Sequence, residues 1–264
     1  MPADPGPADR AKYAAAALAV RYVESGMKLG LGTGSTAAWM LRCLARRTRD
    51  EGLRIRGVPT SQRTAELAVR LGIPILSLDE AGWLDLTIDG ADEIDPSLDL
   101  IKGGGAALLR EKIVAKASDR MIVIADAAKE VPALGVFPLP VEVTRFGWRT
   151  TQVLIERALA SMDVLGRDVI PRQREGNLVV TDEGNHILDL HLGRIGDPHL
   201  LAQALNQIPG VVESGLFMDI CNIAVIGAAD GCVRIRHTAD GDASEERIEI
   251  DLADPVFADP DRLA

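Results

Sequence analysis

Along the first half of the chain, short apolar runs alternate with stretches that read as helices of ten to fifteen residues, and this alternation is the strongest constraint on the fold. The helical stretches are "DRAKYAAAALAVRYVESG", "AAWMLRCLARRTRDEG" and "QRTAELAVRLG"; the strand-like runs are "MKLGL", "LRIRGVPTS", "IPILSL", "LDLTIDGADEID" and "MIVIADAAK". A strand can return parallel to its neighbour only through a crossover, which is usually a helix, so this texture predicts βαβ units and a mostly parallel sheet with helices on both faces. The expected class is α/β and Rossmann-like. The first helix is expected to be capped by Asp9 and closed by Gly26.

The texture changes after "VPALGVFPLPVEV". A helix is expected over "WRTTQVLIERALASM", and Asp182-Glu183-Gly184-Asn185 is expected to join two strands of "NLVVTDEGNHILDLHL" as a hairpin. Another helix follows over "DPHLLAQALNQIPG", then strands over "VVESGLF" and "NIAVIGAADGCVRIR". The expected organisation is an α/β catalytic domain over 1–136 and 210–236, with a smaller α+β domain inserted over 137–209 as a lid or an interface between copies. The last 28 residues, from His237, hold nine acids against Arg247 and Arg262, so they carry −7 of the net −10 and leave −3 for the remainder. Residues 237–264 read as an acidic, poorly ordered tail.

Composition excludes several classes. Aromatics make up 3% of the chain, so the core must be aliphatic. Three cysteines without a C-x-x-C pair fit neither a disulfide framework nor a cysteine zinc site, and they fit a reducing, cytoplasmic setting. No basic stripe with interleaved aromatics points to nucleic acid, and no apolar run is long enough to predict a membrane span.

Three polar clusters carry chemistry. "GLGTGSTA" (residues 30–37) follows a strand and opens a helix, where an α/β sheet places its ligand. It fits neither a dinucleotide fingerprint, since Ser35 and Ala37 stand where glycine is needed, nor a Walker loop, since no lysine follows. It reads as a cradle for one phosphate or as a tight capped turn. "DGADEID" (89–95) closes a strand with four acids; it reads as a solvated turn, or as carboxylates of Asp89 and Asp92 facing the ligand crevice to hold hydroxyls or move protons. "IKGGGAALLREKIV" (101–114) sets Lys102 ahead of three glycines and Glu111 on a helix stripe with Ala107, Val114 and Ser118. Sharing a stripe with apolar residues desolvates a carboxylate and suits it to proton transfer, although a surface glutamate in an ion pair is the plainer alternative.

In this order and spacing, "GLGTGSTA", "DGADEID" and "KGGGAALLREKIVA" resemble ribose-5-phosphate isomerase of the A type, and "IADAAKEVPALGVFPLPVEV", "VVTDEGNHILDL" and "IPGVVESGLF" resemble later blocks of that family. The resemblance covers residues 11–236. It implies an aldose–ketose isomerase that interconverts D-ribose 5-phosphate and D-ribulose 5-phosphate through an enediolate, with no cofactor and no metal. It implies Glu111 as the proton carrier, Lys102 with the amides of Gly103, Gly104 and Gly105 as the oxyanion site, Asp89 as the ring-opening acid/base, and Asp92 on the sugar hydroxyls. Thr33, Gly34, Ser35 and Thr36 would grip the phosphate, with Lys12; Lys129 would line the site. The implied partner is a small sugar phosphate, and the implied assembly is a homodimer or homotetramer. A sugar-phosphate deaminase, an acyl-CoA transferase or a sugar-phosphate sensor would keep a glycine turn but would not need the lysine–triple-glycine–glutamate block.

Overall fold

The computed structural model describes residues 5–238, 243–252 and 254–257. Its helices are α1 (Pro7–Ala19), α2 (Ser35–Glu51), α3 (Gln62–Arg70), α4 (Leu78–Ala81), α5 (Leu108–Lys116), α6 (Trp148–Leu159) and α7 (Pro198–Asn206). The strands up to the change of texture are β1 (Lys28–Leu31), β2 (Arg56–Pro59), β3 (Leu86–Gly90), β4 (Glu93–Ile94), β5 (Leu100–Ile101) and β6 (Met121–Asp126). Then come β7 (Leu139–Val143), β8 (Asp168–Pro171), β9 (Gln173–Arg174), β10 (Asn177–Leu178) and β11 (His186–His191). The last are β12 (Val211–Ser214), β13 (Leu216–Phe217), β14 (Ile223–Gly227), β15 (Cys232–His237) and β16 (Ala243–Arg247).

The chain divides into two compact units, the first formed by Met1–Gly90, Ile113–Ala128 and Ile220–Ala264, the second by Ala91–Lys112 and Lys129–Asp219. The first holds a seven-stranded sheet in the order β16-β15-β14-β6-β3-β1-β2. From β2 to β14 every pairing is parallel, and β15 and β16 add antiparallel at one edge. Period-two alternation explains how helices cover both faces. Leu29, Leu31, Leu86 and Ile88 join the large core under α1 and α2. Gly30 and Thr87, between them, face the other way, toward Val114 of α5 and Ser118. The alanines of α1 let its backbone lie almost on the sheet: a Cβ at Gly227 would sit 2.1 Å from the Ala11 carbonyl oxygen.

The second unit has its own aliphatic core around Val141, Ile155, Leu188 and Leu205. Its four-stranded antiparallel sheet runs β12-β7-β11-β8, and a three-stranded sheet runs β13-β5-β4. The expected smaller domain, 137–209, falls within the second unit, which also takes in 91–112, 129–136 and 210–219, and so β4, β5, β12, β13 and the block from Lys102 to Glu111 that the sequence assigns to the α/β domain.

Four local expectations are corrected. Asp9 does not cap α1: Pro7 starts the helix earlier, with Gly6 as N-cap. "IPILSL" forms a single bridge from Ile75 to Gly57 and then gives way to the Ser77–Glu80 capping box of α4. The turn at Thr181–Asn185 is present, but its arms share one bridge, Val180 to His186, since β11 is taken by β7 and β8. The described part of the tail is not loosely draped: β16 pairs along β15, and Val256 and Phe257 are buried, the latter against the rings of Tyr13 and Trp39. The rest of the tail lies outside the described residues.

Candidate active site

In the first unit the glycine loop joins β1 to α2. Gly34 is the N-cap of the 17-residue α2, at φ +117°, a conformation side chains rarely adopt. It brings no side-chain cap, so the first amides of α2, at exposed Ser35 and half-buried Thr36, are left for an outside acceptor such as an anion. Thr33 is placed differently from its neighbours. Its hydroxyl lies within 2.7 Å of Thr60 Oγ1, 2.8 Å of Ser61 Oγ and 3.0 Å of Thr64 Oγ1, so a buried hydroxyl cluster holds the loop from beneath. Thr64 Oγ1 also donates to the Gly32 carbonyl at 3.0 Å.

Asp89 is fully buried at the end of β3, and its Oδ1 accepts from the amides of Thr33 (3.0 Å) and Gly90 (2.7 Å). A carboxylate can reach the loop this closely only because residue 32 has no side chain: a Cβ there would stand 2.1 Å from Asp89 Oδ1. Of the four acids in "DGADEID", two are committed to structure. Glu93 accepts from the Gly135 and Phe137 amides, and Asp95 Oδ1 from those of Ser97 and Asp99.

The second unit holds Asp92, Lys102, the triple glycine and Glu111. Asp92 Oδ2 accepts from the Gly104 amide at 2.7 Å, and a Cβ on Gly104 would meet that carboxylate at 2.7 Å. Gly103 adopts φ +106° and is hemmed by Leu108 and Pro140, so it too must be glycine. Lys102 is drawn out of β5 by its amide, which donates to the Gly215 carbonyl at 2.9 Å. Its ammonium lies 3.4 Å from Glu111 Oε2, both side chains being almost wholly buried, and 5.5 Å from the centroid of the Phe217 ring. A carboxylate and an ammonium held together out of water interact far more strongly than on a surface, and removing one partner strands the other. The neighbours of Glu111 on α5 point elsewhere, Arg110 to Asp182 and Glu183, and Lys112 to Glu213 and the carbonyls of Ser214 and Leu216.

Two further residues of the implied site have contacts of their own. Lys12 sits on α1 with its ammonium 3.9 Å from Asp9, and Lys129 lies 5.9 Å from the Phe137 ring centroid. Among the described residues, the group with the donor set of a metal site is Asp99, His199 and Asp219. Its polar atoms already satisfy one another: His199 Nε2 is 3.1 Å from Asp99 Oδ2, and Asp99 Oδ1 accepts from the Asp219 amide.

The family model for ribose 5-phosphate isomerase A (phosphoriboisomerase A) matches residues 56–231. The chain belongs to the ribose-5-phosphate isomerase A family. It is 65% identical to ribose-5-phosphate isomerase A of Cereibacter sphaeroides over 259 residues, which cover 98% of this chain and 99% of that one. It is 61% identical to the Ruegeria sp. enzyme over the same shares. Among solved structures it is similar to a D-ribose-5-phosphate isomerase in complex with phospho-erythronic acid, at TM-score 0.77 and 36% identity, covering 91% of this chain and 99% of that one. It is likewise similar to ribose 5-phosphate isomerase from Plasmodium falciparum, at TM-score 0.79 and 34% identity, covering 92% and 100%. The isomerase family's α/β fold is thus shared along nearly the whole chain.

Thr60, Ser61 and Thr64 stand in "VPTSQRT", which in sequence matches the family's Ser/Thr-rich loop only loosely; their hydroxyls brace the glycine loop through Thr33. Nothing local marks Phe217, which reaches Lys102 from a strand more than a hundred residues away.

Proposed function

We propose that this chain interconverts D-ribose 5-phosphate and D-ribulose 5-phosphate, a step of the non-oxidative pentose phosphate pathway, by proton transfer through an enediolate. The observation that carries the reading is the buried Lys102–Glu111 pair, 3.4 Å apart, in a chain of this family. The substrate rests as a closed ring. Opening it moves the anomeric hydroxyl proton to the ring oxygen, and Asp89 is the group assigned to that exchange. Glu111 then removes the C2 proton of the open aldose and returns it to C1, while the O2 proton passes to O1. Negative charge develops on the oxygens between those events, and the Lys102 ammonium with the amides of the triple glycine stabilises it.

Asp92 holds the sugar hydroxyls, and the loop at 33–36 takes the phosphate through the amides of Gly34, Ser35 and Thr36 and the hydroxyls of Ser35 and Thr36, with Thr33 bracing it from beneath, Lys12 as a further cation and Lys129 beside the sugar. Residues 137–209 serve as a lid or an interface in a homodimer or homotetramer. No helix among the described residues is long and apolar enough to cross a membrane, and the proposed setting is cytoplasmic. The proposed chemistry needs no divalent ion, since Lys102 supplies the positive charge.

The test is a coupled assay of ribose 5-phosphate isomerisation with and without EDTA, beside Glu111→Gln. The expected outcome is chelator-insensitive turnover that falls at least about 100-fold in the variant. Near-normal turnover in Glu111→Gln removes Glu111 from its role, and activity that vanishes with EDTA and returns with a divalent ion overturns the metal-free mechanism.

A further inference from the structure

Arg172 follows β8 and reaches the triple glycine. Its Nη1 donates to the Gly103 carbonyl at 2.8 Å and to the Gly104 carbonyl at 3.3 Å. The other edge of the guanidinium grips Asp189 of β11 in a two-bond fork, Nε to Oδ2 at 2.8 Å and Nη2 to Oδ1. Its backbone is fastened on both sides as well: the Arg172 amide donates to the Ile187 carbonyl at 2.8 Å, and its carbonyl accepts from Val179 at 2.9 Å. A planar guanidinium locked by a carboxylate is a rigid donor, unlike a free lysine.

The C=O and N–H of a trans peptide point in opposite directions. Two successive carbonyls drawn to one guanidinium therefore turn the amides of Gly104 and Gly105 away from it. That of Gly104 meets Asp92 Oδ2 at 2.7 Å, so the Gly103–Gly104 peptide is pinned by Arg172 at its oxygen and by Asp92 at its nitrogen. Three consecutive glycines have little conformational preference of their own, and the loop's own turn bond, from the Ala106 amide to the Gly103 carbonyl at 3.0 Å, is joined from outside by the bonds to Arg172 and Asp92.

We infer that Arg172, clamped by Asp189, is a positioning residue for the isomerisation: it holds back the Gly103 and Gly104 carbonyls, so that the Gly104 amide stays on Asp92 and the Gly105 amide is aimed at the reacting end of the sugar. The inference rests on the roles proposed for Lys102, the glycines and Glu111. Arg172 touches no reacting atom; it acts by withdrawing the carbonyls and aiming the Gly105 amide. Loss of the clamp leaves phosphate anchoring intact and misplaces donors that matter most when negative charge develops. The effect belongs in kcat.

The experiment compares Arg172→Ala, Arg172→Lys and Asp189→Asn with the parent and with Glu111→Gln. It reads kcat and KM for ribose 5-phosphate, the affinities for phospho-erythronic acid and for inorganic phosphate, and the thermal midpoint. Arg172→Ala is expected to lower kcat about 10- to 100-fold, the range for misplaced catalytic groups, with KM changed by less than about 3-fold. Phospho-erythronic acid, which carries an anionic carboxylate, is expected to bind more weakly, with inorganic phosphate unchanged. Arg172→Lys, whose ammonium can still donate to both carbonyls, is expected to recover part of kcat, and Asp189→Asn to fall between it and the parent. A folded Arg172→Ala with parental kcat overturns the inference, as does a loss in all variants that tracks the thermal midpoint alone. If Arg172→Ala does not fold, parental kcat in both Arg172→Lys and Asp189→Asn overturns it. A fully active Glu111→Gln would instead overturn the underlying assignment of the site.

Discussion

At the scale of single residues, the decisive feature is a pair of opposite charges that share one buried place. Lys102 and Glu111 are 2% and 3% exposed, and neither could hold its charge there alone. Lys102→Ala is therefore expected to act twice. It should lower kcat about 100-fold, with a smaller change in KM, because in the proposed mechanism the lost charge faces a developing oxyanion; a pure KM effect would make Lys102 a binding residue only. It should also destabilise the fold by about 3 to 5 kcal/mol, since Glu111 is left uncompensated. Adding Glu111→Gln to that variant should recover part of the stability in denaturant melts while activity stays low. A double variant no more stable than Lys102→Ala would show that the two charges are not energetically coupled.

At the scale of elements, strands carry acids whose work is structural, and these separate from the catalytic candidates by what they accept. Glu142, on β7, is fully buried, and its Oε1 accepts from Thr181 Oγ1 and Asn185 Nδ2, each at 2.9 Å. Burial, the largest influence, pushes its carboxyl above the usual glutamate range, and nearby Glu183 pushes the same way; the two hydrogen bonds and Arg110 oppose. A carboxyl raised in the folded state contributes stability that is fully present below its unfolded value and is lost as pH rises through the folded one. Glu142→Gln keeps the accepting oxygen and cannot ionise. Its thermal midpoint is expected to exceed the parent's at neutral pH and to converge with it toward pH 4. A gap that does not change with pH would mean that ionisation of Glu142 carries no part of it.

At the scale of the whole molecule, the described part of the acidic C-terminal region belongs to the fold. β16 extends the seven-stranded sheet beyond β15, Asp254 pairs with Arg46, and Phe257 packs with ring centroids 4.7 Å from Tyr13 and 5.3 Å from Trp39. These rings sit in the core of α1 and α2, the helix whose first turn opens at the glycine loop. Phe257→Ala is expected to lower stability by about 3 kcal/mol, the scale for truncating a buried aromatic. Urea unfolding monitored by circular dichroism checks it, and a change below about 0.5 kcal/mol would return the segment to the status of a loose tail.

The sequence by itself determined the α/β class, the place of the glycine loop after β1, and the identity of the residues in the three polar clusters. Period-two and helical patterns are local, and a motif is a local arrangement of residue types, so both can be read along one chain. Only the tertiary structure decided which polar groups answer one another. "DGADEID" holds four acids that look alike in sequence; Glu93 and Asp95 are spent on loop amides, while Asp89 and Asp92 meet the two glycine loops. In sequence Thr33 stands with Ser35 and Thr36 as a phosphate ligand, while in the structure its hydroxyl turns to Thr60, Ser61 and Thr64. The tail's net charge suggested disorder, but that sum says nothing of Val256 and Phe257, whose burial needs a surface built by residues two hundred positions earlier. Arg172 and Phe217 had no local signal for the same physical reason: what they do depends on hydrogen bonds and ring contacts across strands, and distance along the chain does not record distance in space.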